Sequence, residues 1–307
     1  MDIQKLRIEA SADGIQLGVA FVEPETEPMG IVQLVHGMCE HKERYYGFME
    51  FLAANGYVCV IHDHRGHGES VKDPADLGYM YGGGWRAMVE DIEKVRIWSA
   101  EKWPHLTRTL LGHSMGSMAV RSYAKRYGDR IDRLIVCGSP SSNQAAWAGR
   151  LLSGTIGLVR GDHHRPQIMQ DIAFGSFNKP FEGEGYASAW VCSDRKTLEE
   201  YHHDPLCQFI FTANGFRNLM GLMMDCYSRK GWTVADPDMP VLFISGADDP
   251  CRIGDRQHRN SIDLMRKVGY RHVDSILYPG MRHEILNETG RQEVWDRVLS
   301  YIGPAGK

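Results

Sequence analysis

Ser114 stands in Gly112-His113-Ser114-Met115-Gly116, a match to the pattern G-x-S-x-G. A serine hydroxyl is a weak nucleophile near neutral pH. It needs a base within hydrogen-bond reach, and the base needs an acid to orient it. The chain offers both further on. Asp248 and Asp249 follow an apolar run at 241–244, and His283 follows a last strand read at 273–278. Serine, then acid, then histidine is an order in which such triads occur. Asp249, three residues past Gly246 and directly before Pro250, is the preferred acid. Asp248 stays open as the alternative, and one of the pair is expected to cap a turn instead. His36-Gly37-Met38 closes another apolar run, at 31–35. The backbone N–H groups of Met38 and Met115 are therefore candidate donors to a developing oxyanion, with His36, Gly37 and His113 around the substrate. The chemistry would be acyl transfer through a covalent intermediate. Neither a metal nor an organic cofactor is called for.

Such groups must be brought together by elements distant in the chain. Residues 107–111 are β-branched and apolar, as a buried strand should be, and 117–127 carry an apolar helical stripe at Ala119, Val120, Tyr123, Ala124 and Tyr127. The elbow thus lies between strand and helix, with its serine at a helix N-terminus. Further strands read at 4–9, 15–22, 31–35, 58–61, 131–137, 241–244 and 273–278. Helices read at 45–55, 85–103, 256–268 and through Val294, Val298 and Ile302. Alternating strands and helices predict a mostly parallel, eight-stranded sheet flanked by helices on both faces. The alternation stops from about 141 to 236, where glycine, aromatics and methionines dominate. The reading is one α/β core, 1–140 and 237–307, with a mainly helical cap at 141–236 lying over the strand ends, where such sheets bind ligands.

These residues carry a resemblance. The chain resembles an α/β-hydrolase, in particular the monoacylglycerol lipase and lysophospholipase group of serine hydrolases. Four motifs match in order: His36-Gly37-Met38-Cys39-Glu40-His41 with Arg44-Tyr45 behind it; Asp63-His64-Arg65-Gly66-His67-Gly68-Glu69-Ser70; the elbow with Ser117; and Gly246-Ala247-Asp248-Asp249 with His283-Glu284 and Asn287-Glu288. The resemblance implies hydrolysis of carboxylic esters, often with acyl or lipid parts, and favours Asp249 over Asp248. Peptidase or thioesterase chemistry on the same triad, or a binding protein that keeps the pocket, are the alternatives.

Composition narrows the partners. With 35 basic against 39 acidic side chains, a net charge of −4 and no basic run, the chain is not expected to bind nucleic acid. No stretch is long and apolar enough to span a membrane, though brief contact with a membrane surface stays open. Seven cysteines without a C-x-x-C pair suit a reducing cytoplasm. The oligomeric state is not legible. His62-x-His64-x-x-His67 copies a zinc-ligand spacing, but the expectation there is a glycine-containing loop held internally by Asp63 and Arg65. In the cap, Trp147, Leu151, Leu158 and Val159, and later Phe209, Phe216, Met220 and Met223, are expected mainly to pack onto the core, while a Met- and Phe-rich inner face would suit an acyl chain.

Overall fold

The computed structural model describes residues 2–303. Eight strands form one sheet: β1 (Gln4–Glu9), β2 (Gln16–Val22), β3 (Gly30–Val35), β4 (Tyr57–His62), β5 (Arg108–His113), β6 (Arg133–Cys137), β7 (Val241–Gly246) and β8 (Val273–Tyr278). Their order across the sheet is β1-β2-β4-β3-β5-β6-β7-β8. The β1–β2 and β2–β4 pairs are antiparallel, and every later pair is parallel. Strands β3, β4 and β7 are buried along their whole length, as near-continuous apolar runs covered on both faces should be.

The chain steps from β3 outward to β4 and then returns past β3 to β5. This reversal leaves a crevice at the carboxyl ends of β3 and β5, the place where open α/β sheets bind ligands. It is what brings the loop after β3 beside the elbow after β5.

Helices α1 (Tyr46–Ala54) and α9 (Arg291–Ile302) cover one face, where Phe48, Leu52, Val294 and Val298 meet Val32, Leu34, Leu111 and Ile244. On the other face α2 (Gly84–Lys102), α3 (Met115–Tyr127) and α8 (Asp255–Val268) bring Met88, Ile92, Val120, Tyr123 and Met265 against Val35, Leu110, Val136 and Phe243. Burying one such side chain stabilises by about 1.5–3 kcal/mol, so these two layers fix where the strand ends point.

Between β6 and β7 lie α4 (Ala146–Arg160), α5 (Gln167–Phe174), α6 (Arg195–His203) and α7 (Ala213–Tyr227). The buried Phe216, Leu219 and Leu222 of α7 continue the core cluster of α2 and α3, so this helix anchors the segment inserted between β6 and β7. The expectation that the early cap residues pack inward fails on α4. Trp147 is 62% exposed, Leu151 65% and Leu158 89%, and Ile168 and Ile172 of α5 are exposed too. Periodicity identifies an apolar stripe but not whether protein covers it.

Element ends differ from the sequence reading where side chains cap backbone groups. The sixth strand begins at Arg133 rather than 131, because Asp132 turns aside and its carboxylate accepts from the Arg108 N–H at 2.6 Å. A short 3-10 turn, Lys42–Tyr45, precedes α1 and buries Lys42, whose ammonium lies 2.7 Å from Asp63 and 3.0 Å from Glu69.

Candidate active site

The chain passes from β5 into α3 through a single residue, Ser114. Its φ is +52° and ψ −117°, a region that L-residues avoid because Cβ crowds the backbone. The flanking glycines make the turn possible. A Cβ on Gly116 would lie 2.2 Å from the Val35 carbonyl oxygen, and one on Gly112 would lie 2.4 Å from that of Gly116. The Ser114 N–H donates to the Cys137 carbonyl at 3.0 Å, which ties the turn to β6. The hydroxyl is left at the surface of a cavity.

His283 sits on the connection after β8, with Nε2 2.8 Å from the Ser114 Oγ. Its Nδ1 lies 3.0 Å from the Asp249 Oδ2. An ionised carboxylate only accepts, so Nδ1 carries the proton and Nε2 is free to accept from the serine hydroxyl. Asp249 is buried. Its Oδ2 also accepts from the Ser245 hydroxyl at 3.2 Å, and its Oδ1 from the Cys251 N–H at 2.8 Å. Burial, the largest influence, works against the charge. The adjacent His283 and the Cys251 N–H together outweigh it and hold the Asp249 carboxyl below its ordinary value. Asp248 is exposed and reaches neither ring nitrogen. The sequence divided two tasks between these neighbours. In the structure Asp249 both faces His283 and caps the 3-10 turn Pro250–Arg252.

Met38 and Met115 both line the cavity beside Ser114. Among the described residues no protein acceptor meets either N–H outside the regular ladders. The remaining expected contacts are corrected in part. His113 borders the cavity, but both ring nitrogens face protein oxygens: Glu40 Oε1 at 3.0 Å and the His283 carbonyl at 3.2 Å. His36 is fully buried and points away, its Nδ1 2.8 Å from the Gly37 carbonyl and its Nε2 accepting from the His64 N–H at 2.9 Å. Gly37 lies behind the wall as well. A Cβ there would sit 2.9 Å from the Ser114 Cβ and 2.6 Å from Glu40 Oε1, so glycine is needed for Glu40 to reach the elbow.

Glu40 is the residue the sequence reading left without a task. It is buried and receives Tyr45 OH at 3.0 Å, His113, the Gly37 N–H and Arg44 at 3.4 Å. Arg44 in turn grips Glu284 with two bonds of 2.5 and 2.6 Å, next to His283. A carboxylate three residues past a strand-ending glycine was the available signal.

The histidines of the second motif behave as a loop. His64 Nε2 faces the His36 carbonyl at 3.1 Å and His67 Nδ1 the Arg65 carbonyl at 3.1 Å. Asp63 accepts from the Lys42 and Glu69 N–H groups, and Arg65 is clamped by Asp91 and Asp13.

The cavity above Ser114 has a volume of about 1230 Å³, beyond the 300–1,000 Å³ usual for small-molecule pockets. Met118, Leu219, Met220 and Met223 line it, together with the mutually packed rings of Phe174, Phe177 and Trp190. The Trp190 ring, from the segment between β6 and β7, lies 5.2 Å from that of His283.

Comparison with known proteins agrees with this architecture. The chain is 27% identical over 296 residues to a monoacylglycerol lipase of Mycolicibacterium smegmatis, covering 95% of each chain. It is 32% identical over 288 residues to a monoglyceride lipase homolog of Monkeypox virus, covering 91% of this chain and 90% of the other. A thermostable carboxyl esterase from Bacillus coagulans, solved in complex with glycerol, superposes with a TM-score of 0.89 at 26% identity over 98% of both chains. The fold is that of the α/β-hydrolases. Residues 26–290 match the profile of the family described as serine aminopeptidase, S33, and the chain belongs to that family.

Proposed function

We propose that this chain, a carboxylic ester hydrolase, cleaves acyl-lipid esters of the monoacylglycerol or lysophospholipid type through an acyl-enzyme on Ser114. The observation that carries the reading is the hydrogen-bonded line Ser114–His283–Asp249 at 2.8 and 3.0 Å, opening onto a large apolar cavity.

In the first half-reaction His283 takes the Ser114 proton as Oγ attacks the ester carbonyl. The Met38 and Met115 N–H groups receive the oxyanion, a kind of contact worth about 10²–10³ in rate per donor where it has been measured. The tetrahedral species collapses, and the alcohol leaves with the proton from His283. Water then repeats the sequence on the acyl group, and Asp249 steadies the imidazolium each time. No step draws on a metal or organic cofactor. The methionines and aromatics of the cavity suit a flexible acyl chain, which they can wrap without fixed polar contacts. The relatives named for monoacylglycerol and monoglyceride support the substrate class.

Exposed apolar side chains on α4 (Trp147, Leu151, Leu158) and on α5 (Ile168, Ile172) support brief contact with a lipid surface. Ile172 is exposed and also lines the cavity, which suits entry of an acyl chain past α5. Among the described residues no helix is long and apolar enough to cross a membrane. All seven cysteines are free and buried, which supports a reducing compartment.

The test is a substrate panel on purified protein: p-nitrophenyl esters from acetyl to palmitoyl, monoacylglycerols, lysophospholipids, acyl-CoA and aminoacyl p-nitroanilides. kcat/KM rising at least tenfold from acetyl to decanoyl, with monoacylglycerol or lysophospholipid turnover, supports the reading. Equal values for acetyl and decanoyl overturn the acyl preference, and preferred turnover of anilides or acyl-CoA moves the reaction to peptidase or thioesterase.

A further inference from the structure

His113 has an unusual set of neighbours for a buried imidazole. Nδ1 faces the Glu40 carboxylate at 3.0 Å, and Nε2 faces the His283 backbone carbonyl at 3.2 Å. Neither partner can donate. The carbonyl has no proton, and Glu40 is already the acceptor for Tyr45 OH, the Gly37 N–H and Arg44. A neutral imidazole has one donor nitrogen and one acceptor nitrogen, so either tautomer would set two lone pairs against each other in a buried site.

We infer that His113 is a positioning residue, held as an imidazolium between Glu40 and the His283 carbonyl, which locks the loop carrying Met38 and the loop carrying His283 onto the elbow at Ser114. Three segments far apart in the chain meet on this one ring: 36–41 after β3, the elbow after β5, and 279–284 after β8. Two glycines leave room for it. A Cβ on Gly37 would approach Nδ1 to 3.3 Å, and one on Gly138, at φ +53°, would lie 3.0 Å from both Nε2 and the His283 carbonyl.

The charges around the ring are consistent with its cation. Glu40 lies on the segment after β3, with Arg44 and Tyr45 behind it. Glu284 adjoins it after β8, Asp249 after β7, and Cys137 stands beside it on β6. Burial is the largest influence on His113 and favours the neutral ring. The hydrogen bond and charge of Glu40, with Glu284 and the His283 carbonyl, outweigh it and hold the ring above its ordinary value. Glu40 is held low in return, against its own burial.

The ring also packs against the base, its centroid 4.8 Å from that of His283.

Two measurements test this. The first is nitrogen-15 histidine NMR of the native protein at pH 8.5, where ordinary imidazoles are neutral. One ring with both nitrogens protonated is expected, absent from the spectrum of His113→Gln. No doubly protonated ring at that pH overturns the inference, whether or not any variant folds and whatever the reaction is. The second rests on the proposed Ser114 mechanism. Gln keeps one donor and one acceptor but carries no charge. His113→Gln is expected to lose about 10- to 100-fold in kcat with KM changed less than about threefold, the scale of a small misplacement of reacting groups. His113→Gln with Glu40→Gln removes both charges and the unpaired buried carboxylate, and part of the lost kcat is expected to return. Wild-type kcat in folded His113→Gln overturns the positioning role.

Discussion

Replacing Asp249 by Asn separates charge from shape at the most demanding point of the site. The side chains are isosteric, so the fold is retained, but one oxygen becomes an NH₂. If that group takes the Oδ2 position, it donates toward His283 Nδ1, where an acceptor was needed. Nδ1 must then lose its proton, and Nε2 gains one and points it at Ser114 Oγ. The base is then in the wrong tautomer. If the NH₂ takes the Oδ1 position, it confronts the Cys251 N–H, 2.8 Å away in the native protein. A buried donor facing a donor costs about 1–3 kcal/mol, so the first orientation is favoured and the tautomer is lost. The equivalent change in a well-studied serine protease lowers kcat by about 10⁴, which corresponds to roughly 5 kcal/mol of barrier. Asp249→Asn is therefore expected to lose about 10³–10⁴ in kcat on p-nitrophenyl decanoate, with KM changed little. Asp248→Asn, at an exposed carboxylate, should stay within about twofold. Thermal unfolding of both variants controls for folding. Asp249→Asn within tenfold of wild type, or Asp248→Asn falling as far, would refute the assignment.

Three further outcomes follow from the same geometry. His62 and His67 are fully buried, and burial pushes each ring down to about 4, with His36 and His64 also held well below the ordinary value. The unfolded chain binds more protons between pH 6.5 and 4, so stability falls with pH by about 1.4 kcal/mol per unit for each ring, and an unfolding midpoint that stays flat from pH 7 to 5 would contradict this. Gly116→Ala sets a Cβ against the Val35 and His36 carbonyl oxygens, at 2.2 and 2.4 Å; it is expected to destabilise by about 2 kcal/mol and to cut kcat more than tenfold by moving the Met115 N–H, measured by denaturant melts and steady-state rates. Leu158→Ser with Trp147→Ser, on the exposed face of α4, should weaken sedimentation with phosphatidylcholine vesicles while leaving kcat on a dissolved short-chain ester within twofold; unchanged vesicle binding would remove that face from the account.

Much of the sheet is legible in the sequence because its central parallel strands are apolar runs closed by polar loops, and a strand buried on both faces tolerates little else. The runs at 31–35 and 241–244 lie within β3 and β7, while the edge strand β8 mixes Val273, Ile276 and Tyr278 with Asp274 and Ser275. The elbow is legible for a similar reason: carbonyl oxygens crowd Gly112 and Gly116 so closely that no other residue fits there. Residues whose work depends on distant partners are harder to read. His113 reads as a substrate contact when its neighbours in sequence are all that is known, because Glu40 is 73 residues away and the His283 carbonyl 170. His36 looks poised for the substrate at a strand end, but its ring turns back to serve the His64 N–H. The side on which α4 presents its apolar residues is equally hidden, since a period of 3.6 fixes a stripe and not its partner. Asp249 combines two roles because a capping carboxylate has a second oxygen free to face His283.

The central claim is that Ser114 forms the covalent intermediate, activated by His283. Intact-protein and peptide mass spectrometry after reaction with a fluorophosphonate tests it most directly. One adduct per chain is expected, located on Ser114, with labelling abolished in Ser114→Ala and slowed at least 100-fold in His283→Ala. Ester hydrolysis that persists in Ser114→Ala, or an adduct formed on another residue, would contradict the account.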